Sequence, residues 1–74
     1  MDTTEIKNEI RSYMVKKGYS VQKVVDLINE KYGRNDSGAN LTNKLHRGTL
    51  RYKEALEIAD VIGYKIEWID QEKK

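Results

Sequence analysis

At 74 residues with no cysteine, the chain has room for a single domain spanning 1–74, and for neither a disulfide framework nor a thiolate metal site. A hydrophobic share of 38% sustains one small core and is too high for a disordered tail. The formal net charge is only +2, but it is unevenly spread: from Lys31 to Lys53 six cations face one anion, Asp36, a balance of +5 that leaves −3 for the flanks. A basic middle between acidic flanks is the electrostatic footprint of a polyanion partner, and equally that of a solvated basic face.

The start, "MDTTEIKNEI", is polar and has no apolar h-region, and no run approaches the length of a membrane span. The expectation is a soluble, cytoplasmic protein with no membrane contact. Asp2 followed by Glu5 is a capping-box pair, and Ile6, Ile10, Tyr13 and Met14 then recur at helical spacing up to a stop at Gly18. A second helix begins after Ser20. Val21, Val24, Val25, Ile28 and Tyr32 form its stripe, Leu27 widens it, and Gly33 ends it.

The segment from Gly33 to Gly48 is the most polar in the chain. Arg34-Asn35-Asp36-Ser37-Gly38 is turn chemistry. Gly33 and Gly38 have the spacing of a phosphate-binding loop, but Ala39 and Asn40 stand where such a loop needs Lys and Ser/Thr. Asp36 is its only carboxylate, too few for a calcium loop. After Ser37, Leu41 and Leu45 stand one helical turn apart and Gly48 supplies a stop, so a third helix is predicted over residues 38–47 with Ser37 as its cap.

At about 100° per residue, Leu41 and Leu45 point inward, while Ala39, Asn40, Asn43, His46 and Arg47 look outward with Thr42 and Lys44 on the flanks. Unlike the other helices, this face has no acidic group. Asparagine pairs bidentately with adenine, arginine forks onto guanine or phosphate, and alanine lies against a thymine methyl. A fourth helix, capped by Thr49, is predicted to turn Tyr52, Ala55, Leu56, Ala59 and Ile62 inward before Gly63 stops it. Glu54 and Glu57, like Glu5 and Glu9, then read as solvated carboxylates paired with lysine.

The tail differs in kind. Tyr64, Ile66 and Trp68 alternate with Lys65 and Glu67, a period of two that reads as a strand over 64–69. No other segment reads as a strand, and one strand alone leaves its backbone groups unpaired. The same strand from a second copy, antiparallel across a two-fold axis, satisfies it; packing onto the helices in extended form or as an extra helical turn is the alternative. His46, the only histidine, has neither a second ligand nor a nucleophile nearby, and nothing forms a general acid–base site. The reading is not an enzyme, with no cofactor and no metal.

The order from "KKGYSVQKVVDLI" through "SGANLTNKLHRGTLRYKEALEIADVIGY" resembles the Cro and lambda-repressor-like (XRE-type) helix-turn-helix proteins of bacteria and phages. It looks most like a subgroup of very small members with an "LSNKLRRGT-RY-E-LEIAD-LGY" type pattern. The resemblance implies an all-α bundle of four to five helices with a short C-terminal strand, and the third helix as the recognition helix. It places Ser37 at the cap, Asn40 and Asn43 toward bases, and Lys44 and Arg47 toward bases or backbone. Two departures stand out. Val21 occupies the place of the phosphate-contacting glutamine near the start of helix 2, with Gln22 one position out of register. The turn before the third helix is also about six residues longer than the usual tight one.

The expected function is sequence-specific binding of double-stranded DNA by a phage or bacterial transcriptional regulator. Arg34, Ser37, Ala39, Asn40, Asn43, Lys44, His46, Arg47, Arg51 and Lys53 form the candidate DNA-binding set. Tyr64, Ile66 and Trp68 form the candidate homodimer seam. The rival expectation is a helix-turn-helix scaffold that binds protein, as an antitoxin or as an inhibitor of a host nuclease of the CRISPR-effector kind.

Overall fold

A computed structural model describes residues 2–72; Met1, Lys73 and Lys74, the ends of the predicted 1–74 domain, lie outside it. It contains four helices in the order α1 Thr3–Lys16, α2 Val21–Tyr32, α3 Gly38–Arg47 and α4 Tyr52–Val61. Local chemistry accounts for most of these boundaries. Asp2 Oδ1 accepts from the Glu5 N–H at 2.9 Å, and Glu5 Oε2 accepts from the Asp2 N–H at 3.0 Å, closing the capping box at the start of α1. Ser20 and Ser37 each accept from the N–H three residues on, at 3.1 Å, and so begin α2 and α3. Gly33 and Gly48 end those helices in the left-handed region, at φ 64° and 72°, where a side chain would be strained.

The core consists of Met14 from α1, Val24, Val25 and Ile28 from α2, Leu41 and Leu45 from α3, and Ile58 and Ile62 from α4. Against it α3 packs onto α1 and α2, and α4 onto α2. The valines of α2 are mediocre helix formers, so that helix depends on this burial more than on its own propensity. Ile10, Tyr19, Val21, Leu50, Val61 and Tyr64 add partly covered surface around it.

Three expectations are corrected. First, among the described residues there is no strand: 64–70 forms neither helix nor ladder. Tyr64 instead turns back through its N–H to the Ala59 carbonyl at 2.8 Å and meets Tyr13 edge-on with ring centroids 4.9 Å apart. Trp68 donates to the Tyr52 hydroxyl at 2.8 Å. Aromatic contacts with helices hold the tail, and the period of two reports only which side chains reach them. With no strand, strand pairing gives no basis for the Tyr64, Ile66 and Trp68 seam.

Second, α4 starts at Tyr52 with Arg51 as its cap residue, two positions after Thr49. The Thr49 N–H is taken by the Lys44 carbonyl at 3.0 Å as α3 closes, and Leu50 packs against the core. Third, α4 is rotated from the expected orientation. Ile62 is buried and Ala55 and Ala59 are half-buried, as expected, but Ile58 and Glu57 are buried too, whereas Tyr52 and Leu56 remain exposed.

The far ends of α2 and α4 are tied through Asp60, whose carboxylate pairs with Lys31 and accepts from the Tyr32 hydroxyl at 2.8 Å. The hydrogen bonds from Lys31 and Tyr32 hold Asp60 below its ordinary value of 3.8. A lowered carboxylate stabilises the fold above its unfolded value, and that contribution disappears as pH falls through the folded one. On acidification below about pH 4, wild type should therefore lose more stability than Asp60→Asn, as read by urea unfolding at a series of pH values. Parallel curves would mean that the tie contributes nothing.

Candidate nucleic-acid interface

The connection from α2 to α3 is five residues, 33–37. It is thus one or two residues longer than the usual three to four, and the expected excess of about six is corrected. Its length is restrained by two side-chain clamps. Asn29 in α2 uses both ends of its amide on Asp36: Nδ2 donates to the Asp36 carbonyl at 2.9 Å, and Oδ1 accepts from the Asp36 N–H at 2.9 Å. Arg34 grips Glu57 of α4 bidentately, with Nη2 to Oε1 at 2.5 Å and Nη1 to Oε2 at 3.2 Å, while its Nε lies 3.3 Å from Asp36 Oδ2. The bond to Glu57 raises the Arg34 pKa further above its already high value, so the guanidinium stays charged.

At the other end of the connection, Gln22 lies against the start of α3. A Cβ on Gly38 would lie 2.6 Å from Gln22 Oε1, so the first residue of α3 sits directly against the first turn of α2. Gln22 Nε2 donates to Asp26 Oδ1 at 2.9 Å, which orients the amide. Gln22 is absent from the sequence-derived set, where it stood only as a glutamine one position out of register with the phosphate-contacting one of the resembling family.

Along α3 itself, Leu41 and Leu45 are buried while Ala39, Asn40, Asn43, His46 and Arg47 are all exposed. Ser37 caps the helix through its hydroxyl. The remaining cations of the candidate set divide into two kinds. Lys44 is half-buried and paired with Glu54. Glu54 also accepts from the Arg51 N–H at 2.8 Å. Burial pushes its pKa up, but the hydrogen bonds from Lys44 and Arg51 outweigh that and leave it below 4.5. Arg47, Arg51 and Lys53 are exposed and make no ion pair among the described residues.

The structure thus brings Asn40, Asn43, His46 and Arg47 onto one open face, with Arg51 and Lys53 in the segment that follows. It sets Arg34 apart as a structural cation and partly occupies Lys44. The reading of Glu57 as a solvated carboxylate is corrected, since its side chain is only 8% exposed. A pair separated by 23 positions leaves no local pattern. The cleft beneath the Arg34 and Lys44 pairs holds about 30 Å³, room for roughly one water and no small-molecule ligand.

The chain belongs to the family described as Domain of unknown function (DUF6471), whose match covers residues 3–66. That span includes all four helices and the tail as far as Ile66. No curated protein and no solved structure matches the chain.

Proposed function

We propose that the protein is a sequence-specific DNA-binding protein of the helix-turn-helix kind, a cytoplasmic regulator that lays α3 in the major groove. The observation that carries this reading is the outward face of α3: two asparagines, a histidine and an arginine, all exposed, with no carboxylate among them, held on a helix whose other side is buried. Such a face offers bidentate donors and acceptors to base edges. Arg51 and Lys53, just beyond it, suit phosphates, which position a protein without specifying sequence.

Counting only the unpaired cations Arg47, Arg51 and Lys53 gives a salt dependence with a log–log slope of about −2.7 per bound chain, at about −0.9 per phosphate neutralised. Titrating a labelled random duplex at two salt concentrations tests this, and no binding at low salt overturns the reading in favour of a protein partner. Glu54→Gln keeps an acceptor for the Arg51 N–H but releases Lys44 from its counter-charge. That variant should bind more tightly at low salt with a slope steeper by about 0.9. An unchanged slope would show that Lys44 takes no part.

A further inference from the structure

The side of the molecule formed by α1, α4 and the tail is apolar and uncovered. Ile6 and Tyr13 of α1 are 40% and 39% exposed, and Ile10 lies between them on the same face. Tyr52 and Leu56, one turn apart on α4, are 53% and 39% exposed, because that helix turns Ile58 and Ile62 to the core instead. Between the two helices runs an open groove of about 320 Å³ walled by Tyr13, Ala55, Ala59 and Ile66. Trp68, two residues beyond Ile66, is 86% exposed and edge-on to Tyr52 with ring centroids 6.2 Å apart.

For a chain with a mean hydropathy of −0.82, this is a large concession. Ile6, Tyr13, Tyr52, Leu56, Ile66 and Trp68 together leave on the order of 600 Å² of apolar surface in water, at the upper limit for the largest patch on a monomer. A homodimer interface of about 800 Å² per partner, about 65% apolar, needs roughly 500 Å² of it. The area matches one copy of such an interface. The groove's lining carries both signs, Glu9 and Glu67 with Lys65, whose exposed 3.7 Å pairing to Glu67 can be exchanged for one across a two-fold axis. It has none of the single-signed charge that would select a polyanion.

We infer that this face binds a second copy of the chain, helix to helix, with Leu56 and Trp68 at the centre of the contact. The contact uses helix faces and side chains of the tail, needs no strand pairing, and involves no residue of α3. It holds whether or not the protein binds DNA.

Sedimentation of the full chain without DNA tests it. Wild type should approach twice the 8.6 kDa chain mass as concentration rises, with the emission of Trp68, the sole tryptophan, moving to shorter wavelength over the same range. Leu56→Glu should weaken the dimer by roughly thirtyfold or more, the scale of a central interface anchor. Should Leu56→Glu lose its helical circular dichroism, Trp68→Ser serves instead, because it removes only the tail's contact with Tyr52 and leaves the core untouched. Wild type sedimenting at the chain mass at every concentration overturns the inference, as does a wild-type dimer that a folded Leu56→Glu or Trp68→Ser leaves undisturbed.

Discussion

Replacing Arg34 by methionine should cost about 3 kcal/mol of folding stability, the lower end of the range for stranding one member of a buried ion pair. The lower end applies because Arg34 is itself one-third exposed, while Glu57 is the deeply covered partner. In a domain of this size that loss lowers the melting temperature by about 15 °C. Removing both charges together, as Arg34→Met with Glu57→Met, should recover most of it, because two apolar side chains of similar length need no compensation there. The cycle is read by chemical unfolding of the two single variants and the double. A single variant as stable as wild type would mean that the pair is solvated in solution, and Arg34 would return to the set of available cations.

The other large effect concerns specificity. Asn43→Ala should compress the difference between the best and the average DNA site by about 1–3 kcal/mol, the worth of one bidentate base contact. Lys53→Ala should instead weaken every sequence about equally and flatten the salt slope by about 0.9. Selecting bound sequences from a random pool with each variant separates the two. If Asn43→Ala selects the same sequences as wild type with the same preference, α3 does not read bases, whatever else it touches. Both substitutions fall on exposed positions and leave the core intact, so a loss of binding cannot be assigned to unfolding.

The parts of this fold that were legible in the sequence are those fixed by neighbours a few residues apart. Asp2 with Glu5, Ser20 and Ser37 cap helices through bonds spanning three positions, and the limits of α3 followed from Ser37 and Gly48. The inward turn of Leu41 and Leu45 likewise followed from helical geometry. The rest depends on contacts that no local pattern encodes. On α4 the expected face, through Tyr52, Leu56 and Ile62, is right only at Ile62, and packing against α2 selects Ile58 in place of Tyr52 and Leu56. Arg34 looked like a phosphate ligand because its carboxylate lies on a different helix, far along the chain. The alternation of Tyr64, Ile66 and Trp68 was real, but it served aromatic docking onto Tyr13 and Tyr52 rather than a ladder.

The double amide bond from Asn29 to the backbone of Asp36 has a thermodynamic corollary. A connection stitched down at the fourth of its five residues is already close to its final shape, so docking α3 onto any surface spends little free energy on freezing a loop. The heat-capacity change of association should then scale with the contact area alone, without the excess that accompanies coupled folding. Snipping the stitch with Asn29→Ala would add that excess and lower affinity without altering a single atom that meets the ligand.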